Sequence, residues 1–364
     1  MINLNDVKTL LNSEDKQVIS VYLRIDPALR ENQADNPAWR IWLKNAVRDA
    51  ERDMRDSKRE IWEDRKERLY TYIDNYTPSA KSLIIFIGQS FEQIHELPIL
   101  ISENAFNYGE IQIAPMLWLL DEYKPYLITL IDTEKAQLMT MYLGNVTSRS
   151  ELESDRFAYD FGEKTLMPRQ TSVANAGTQV TQGSNRDRFE DTMDEHIDHF
   201  YRNVAAEIET VLKRDKLKRI ILGGSEQSAH ALKDMLSNNW QEKIIAVLPI
   251  PMDSNDSEIS KRVLPSALDY ERQKEVTLVD DVIGLAKSDG RGALGQGAIE
   301  EALTQQRVEL LIAPWEQELD NKAIVEHLAH KTLQNGGEVE FVHGEAAQLL
   351  IDEGGMAAKL YYTI

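Results

Sequence analysis

Along the chain, apolar positions change period several times, and each change predicts a different element. Gln17–Asp26 alternates apolar with other residues, is rich in β-branched types and stops before Pro27, which predicts a strand. From Asn36 to Asn75 the apolar positions Trp39, Trp42, Leu43, Val47, Met54, Ile61, Trp62, Leu69, Tyr72 and Ile73 recur mostly every three or four residues, predicting a long helical region. Its charged face mixes signs between Arg48 and Arg68, as solvated helices do. Ser82–Gly88 reads as a buried strand and Ile111–Leu120 as a further apolar stretch. Tyr126–Asp132 and Gln137–Leu143, joined by four residues, predict a hairpin that ends at Gly144-Asn145. A helix is expected from about Arg188 to Arg214, then strand Leu217–Leu222, a Gly223-Gly224 turn, helix Gln227–Leu236 and strand Lys243–Ile250.

After Pro251 the pattern predicts a connecting helix near Ser257–Val263 and a segment Val276–Ala286 that leads into the glycine-rich run 289–297. Helix Ala298–Gln305, strand Val308–Ile312, helix Asn321–Gln334, strand Glu338–Val342, helix Glu345–Ile351 and strand Ala358–Tyr362 follow. This alternation is α/β. The 364 residues exceed one ordinary core, and the breaks at Lys124-Pro125 and Pro251 divide them into domains 1–123, 124–250 and 251–364.

Composition narrows the function classes. The chain has no cysteine, which excludes disulfides, thiolate metal sites and cysteine nucleophiles and fits a reducing compartment. Its first residues show no basic segment followed by an apolar run, and no apolar run approaches 18 residues, so neither a signal peptide nor a membrane span is expected and the location is expected to be cytoplasmic. The formal charge of −20 argues against generic nucleic-acid binding, but it is unevenly spread: 1–123 carries −6, 124–250 only −3, and 251–364 carries −11.

The nearly neutral middle segment contains the most unusual stretch. Residues 165–185 hold no acid, although 61 of the 364 residues are Asp or Glu, and they are rich in Ser, Thr, Asn, Gln and Gly without hydrophobic period. They read as a long exposed loop, spanning about 164–188, of the kind that is functional or disordered. Lys164, Arg169, Arg186 and Arg188 give it a positive balance, and Gly177-Thr178-Gln179 lies at its centre.

The order of units, together with VISVYL (18–23), YLITLIDTEKAQLMTMYLGNV (126–146), HIDHFYRNVAAEIETVL (196–212), RIILGGSE (219–226), GQGAIEEALTQQRVELLI (295–312) and GGEVEFVHGEAAQLLIDEGGMAAKLYY (336–362), resembles the archaeal and eukaryotic class-one release factors, Pelota and their bacterial relatives. The resemblance is diffuse and covers nearly the whole chain. It implies three domains, each a mixed sheet with packed helices: the first reaching the decoding centre, the middle one carrying a Gly-Gly-Gln loop to the peptidyl-transferase centre, the third contacting a translational GTPase or another partner. Here Gly177-Thr178-Gln179 stands in the place of that triplet. Thr178 replaces the second glycine, narrowing backbone freedom with a β-branched side chain where the family keeps glycine. The stop-codon motifs Asn-Ile-Lys-Ser and its cysteine-containing companion are absent. The pattern is similar to the Balon-type ribosome hibernation factors. It implies a non-enzymatic occupant of the A site of idle ribosomes that binds 16S and 23S rRNA, without a cofactor or a metal, and with elongation factor Tu as an accompanying protein. The alternative it leaves open is a peptidyl-tRNA hydrolase for ribosome rescue, with Gln179 orienting the water.

Other constellations have two readings each. Lys58, Arg59, Arg65, Lys66 and Arg68 are decoding-side candidates for RNA phosphates, or members of a solvated helix face. His196 and His199, among acids, share a helix face and could hold a metal, or simply open a helix. His327 and His330 repeat that spacing as ordinary helix residues. Gly290–Gly297 lacks the Lys-Ser/Thr ending of a phosphate loop and reads as a turn. Gly223-Gly224 reads as a tight strand-to-helix turn or as an anion site at the next helix N-terminus.

Overall fold

The computed structural model describes residues 2–362 apart from 14, 53, 55–58, 155–182, 289 and 316–321, and for 183–193 the backbone only. It divides into two compact units, Met1–Lys124 with Leu268–Ile364, and Pro125–Ala267. The first boundary falls beside Pro125, and the second lies inside a helix, 17 residues beyond the Pro251 break read from the pattern.

The first unit begins with helix α1 (Leu4–Leu11), closed by a capping box. The Asn3 side chain accepts the Asn5 and Asp6 N–H groups, and the Asp6 carboxylate accepts the Asn3 N–H at 2.7 Å. Strand β1 (Val18–Arg24) follows, then helices α2 (Ala38–Arg52) and α3 (Arg59–Asn75), where the sequence pattern had indicated one continuous helical region. Strands β2 (Ser82–Ile87), β3 (Glu92–Leu97) and β4 (Ala105–Gly109) complete a sheet of order β3-β2-β1-β4, antiparallel throughout rather than mixed.

Because side chains alternate along a strand, Ile19, Val21 and Leu23 face Trp39, Leu43 and Val47 of α2 and Trp62, Leu69 and Ile73 of α3. Ser20 and Tyr22 point the other way: the Tyr22 hydroxyl donates to the Gln112 carbonyl at 2.6 Å, and the Gln112 N–H donates to Ser20 Oγ at 3.1 Å. Helix α4 (Ala114–Glu122) is buried from Ala114 to Leu120, so no face of it needs to be polar.

The second unit is built on the predicted hairpin, strands β5 (Tyr126–Ile131) and β6 (Lys135–Tyr142). The hairpin does not end at Gly144. Leu143 and Gly144 take φ of 51° and 77°, the two positive values of a type I′ turn, and the chain returns as strand β7 (Asn145–Glu153). Helix α5 (Gly183–Arg214) begins about five residues earlier than the sequence pattern indicates. Strand β8 (Ile220–Gly224), helices α6 (Glu226–Met235) and α7 (Asn238–Gln241) and strand β9 (Ile244–Leu248) close the sheet, in the order β7-β6-β5-β8-β9. Only β5, β8 and β9 run parallel to one another through direct pairing. Each buried strand serves two cores. Leu127, Ile131, Leu138, Ile220 and Leu222 face α5 and α6, while Ile128, Leu130, Met139, Met141 and Ile221 face Ile250, Ile259 and Val263.

Helix α8 (Asp256–Ser288) is one 33-residue helix where two separate segments were expected, and the division between units falls after Ala267. Pro265 lies inside it, which removes one backbone N–H donor without ending the helix. Strand β10 (Gly292–Leu294), helix α9 (Gln296–Thr304), strand β11 (Val308–Pro314), helix α10 (Lys322–Gln334), strand β12 (Glu338–Val342), helix α11 (Gly344–Asp352) and strand β13 (Ala357–Leu360) form the last sheet, of order β10-β13-β11-β12. It is mixed, with β11 parallel to β12 and antiparallel to β13.

The two chain segments of the first unit are joined by a polar and aromatic seam. Trp118 stacks on Trp315 at 6.0 Å between ring centroids, and its indole N–H donates to His343 Nε2 at 2.8 Å. Both oxygens of Glu326 accept backbone N–H groups that open α4, from Ile113 at 2.6 Å and Ala114 at 2.9 Å. Lys124 pairs with Asp121 at 2.6 Å and Glu340 at 2.5 Å. Burial works against the Lys124 charge, but Asp121, Glu340 and Glu271 more than offset it and push its pKa up.

Candidate functional site

The second unit carries the stretch read from sequence as a loop, and its architecture fixes the described residues on either side of it. Strand β7 pairs only with β6, at the edge of the sheet, and its last residues give way to Ser154, whose N–H donates to the Glu134 carbonyl at 2.7 Å. Strand β7 is antiparallel to β6, which is antiparallel to β5, so the chain leaves β7 at the end of the sheet where β5, β8 and β9 finish. It re-enters as α5 at Gly183. Lys164, Arg169, Gly177, Thr178 and Gln179 lie outside the described residues, and Arg186 and Arg188 are on the first turns of α5.

What holds α5 is a stripe at three- and four-residue spacing. Phe200, Tyr201, Val204, Ala205, Ile208, Val211 and Leu212 are all buried against the sheet. Before Ile197 the described side chains, Asp194, Glu195 and His196, are exposed, as are Asp198 and His199. His199 Nδ1 lies 3.3 Å from Asn203 Nδ2 on the same helix. The core therefore clamps the second half of the helix, and the loop's return root lies on the half before the stripe.

At this same end of the sheet, the two glycines that finish β8 have steric causes. Gly224 has φ of +100°, and a Cβ there would lie 2.1 Å from the Ile131 carbonyl oxygen; one at Gly223 would lie 2.7 Å from the Leu130 side chain. Both glycines belong to β8 itself, paired with Leu130 and Ile131, so the close approach of β8 to β5 accounts for them where the sequence pattern read a turn after the strand.

In the first unit the basic positions read as decoding-side candidates are unequal. Lys58 lies outside the described residues and Arg59 is exposed at the start of α3. Arg65 is 3% exposed, paired with Asp15 at 2.9 Å and donating to the Gln17 carbonyl. Lys66 pairs with Glu51 and Glu63, both at 2.6 Å. Arg68 pairs with Glu92 at 2.5 Å and donates to the Gly88 carbonyl at 2.8 Å. Arg65 thus spends its charge inside the fold. The helical pattern could not reveal this, because Asp15 and Gln17 lie some fifty residues away.

One cluster that sequence reasoning missed has the composition of a cation site. Glu122, Glu275 and His343 bring three ligand-type atoms within 4.8 Å of one another. The Arg272 guanidinium already pairs with both carboxylates. An indole N–H can only donate, so His343 Nε2 accepts from Trp118 and the ring proton sits on Nδ1, the nitrogen 3.5 Å from Glu275. The His343 N–H also donates to Glu275 at 2.9 Å. A protonated ring nitrogen and a guanidinium fill the space a metal would need, so the cluster is an ion-pair network across the seam. Burial works against the Arg272 charge, and Glu122 and Glu275 push its pKa up.

Against this geometry the relationships of the chain are specific in place. Residues 112–268 match the model of bacterial archaeo-eukaryotic release factor family 10, a span that takes in the whole of the second unit. Over this segment, less than half of the chain, the protein is similar to that family. A Pelota homologue of Thermococcus kodakarensis is 29% identical over 177 residues, covering 45% of this chain and 49% of that protein, and one from Thermococcus onnurineus is 27% identical over the same length. The chain therefore spans about half the length of the curated relatives it matches. Among solved structures, Pelota of Archaeoglobus fulgidus is 16% identical, with a TM-score of 0.40 over 79% of this chain and 82% of that one. A model of ribosome-bound archaeal Pelota is 14% identical, with a TM-score of 0.45 over 100% of this chain and 95% of that one. Among the described residues no helix is long and apolar enough to cross a membrane.

Proposed function

We propose that this protein is a cytoplasmic ribosome-binding factor that occupies the A site of idle ribosomes and silences translation without catalysis, in contact with rRNA and accompanied by elongation factor Tu. The observation that carries the reading is the coincidence of the family match with the unit from which the long acid-free loop emerges. Within that loop Thr178 occupies the position of a glycine, which favours a plug over a hydrolase. Arg186 and Arg188, on the first turns of α5, add positive charge in sequence beside that stretch, which supports contact with a phosphate-rich surface.

Sedimentation of lysates from growing and stationary cells tests the reading: the protein is expected with non-translating ribosomes and absent from polysomes. Its absence from every ribosomal fraction would refute ribosome binding. Gln179 keeps one second reading in play, peptidyl-tRNA hydrolysis during rescue. Peptide release from stalled complexes, abolished by Gln179→Ala, would establish that reading in place of the first.

A further inference from the structure

We propose that the end of the second unit opposite the loop is a separate binding surface for RNA phosphates, formed by Lys213, Arg214, Lys216 and Lys218 with Lys243 beside them. The choice of RNA rests on the ribosome-binding reading above, but the surface itself rests on topology and charge.

Strands β5, β8 and β9 are parallel, so the residues that precede them share one end of the sheet. The Ile220 N–H donates to the Lys243 carbonyl at 2.9 Å and the Leu127 N–H to the Arg219 carbonyl at 3.0 Å, which places Arg219 and Lys243 side by side there. Helix α5 ends at the same edge with Lys213 and Arg214 in its last turn, and α6 also brings Lys233 in its last turn. The 32 residues of α5 span about 48 Å, so this collar and the loop root at Gly183 are far apart on the unit.

Five of the seven residues 213–219 are basic and one is acidic, in a chain of charge −20. Cations complement a helix C-terminus, which accounts for Lys213 and Arg214. Their ion pairs, with Glu209 at 3.2 Å and Asp215 at 2.8 Å, leave the basic side chains 66% and 60% exposed, and pairs so exposed exchange readily for phosphate. Helix capping does not account for Lys216 and Lys218. They lie beyond the helix, are exposed, and form no ion pair among the described residues. Lys216 also has φ of 54°, a left-handed position that glycine or asparagine fills at less cost. Lys243 Nζ is held 4.0 Å from the Trp240 ring centroid. The large exposed hydrophobics of the described residues, Leu4, Ile41, Ile61, Ile351, Tyr361 and Tyr362, all lie in the other unit. A charged collar without an apolar anchor suits a polyanion rather than a membrane or an apolar protein face.

The test is the double substitution Lys216→Gln with Lys218→Gln in the full chain, with Lys261→Gln, at an exposed lysine elsewhere on the unit, as control. Binding to a labelled 16-base-pair RNA duplex is measured by fluorescence anisotropy across a salt series, and binding to purified ribosomes by co-sedimentation. The double variant is expected to bind the duplex about tenfold more weakly at low salt and to lose about two from the salt-dependence slope, with the control and the melting temperature unchanged. Ribosome binding by the wild type with an identical salt slope in the double variant overturns the collar alone. A wild type that binds neither ribosomes nor duplex overturns the collar and the A-site reading together. Binding to phosphatidylserine vesicles in place of RNA assigns the collar to a membrane and overturns the proposal.

Discussion

Substituting Glu326 by Gln should remove a measurable part of the pH dependence of stability of the first unit. Burial pushes the Glu326 carboxyl up to about 7 from 4.5, against the two backbone N–H groups of Ile113 and Ala114, which lower it. A carboxyl whose pKa rises on folding stabilises the fold most below its unfolded value, and that contribution is lost as pH rises through about 7. At about 1.4 kcal/mol for each pH unit between the two values, the native seam is weaker at pH 8 than at pH 4.5 by about 3 kcal/mol from this one group. Tryptophan fluorescence is the direct assay: Trp118 and Trp315 line the same small cavity as Glu326, and Trp240 alone of the six lies in the second unit. Urea unfolding at pH 5.5, 7.0 and 8.5 should show wild-type stability falling relative to Glu326→Gln by about 2 kcal/mol across the series. Parallel pH profiles for the two proteins would refute the burial argument. They would mean that the carboxyl is solvated or that α4 shifts to release it.

Three further outcomes follow from other parts of the fold. Gly224→Ala should lower stability by about 3 kcal/mol or more in thermal unfolding, because its Cβ meets the Ile131 backbone at 2.1 Å in a left-handed conformation. Arg65→Ala should cost about 3–5 kcal/mol by stranding Asp15, whereas Arg59→Ala, at an exposed position, should change stability by less than about 0.5 kcal/mol in the same melt. Joint neutralisation of Arg186 and Arg188 to Gln should weaken ribosome co-sedimentation and lower its salt slope by about two, and an unchanged slope would count against the loop root as an RNA contact.

Elements with a large buried share were legible from residue order. The apolar runs in 126–142 located β5 and β6, because strands buried on both faces read as nearly continuous apolar runs, and the three- and four-residue spacing after Ile197 located the clamped half of α5, because a helix packed on one face repeats its apolar residues at the period of its backbone. Strand β7 was not legible. Its sequence, NVTSRSELE, is mostly exposed at a sheet edge and has no apolar face to report, so the type I′ turn at Leu143-Gly144 read as an end instead of a reversal. Strands β3 and β4 are half-exposed and were silent for the same reason.

Residue order also determined the acid-free stretch 165–185, its Gly177-Thr178-Gln179 centre and the basic run 213–219, since these are properties of composition along the chain. Tertiary structure alone decided which charges are available. It withdrew Arg65 into a pair with Asp15, tied Arg68 to Glu92, and left Lys216 and Lys218 free of ion pairs among the described residues. It also gathered Glu122, Arg272, Glu275 and His343, drawn from three distant stretches, into one network. An ion pair depends on distances of a few ångströms between residues far apart in sequence, and no local period encodes them.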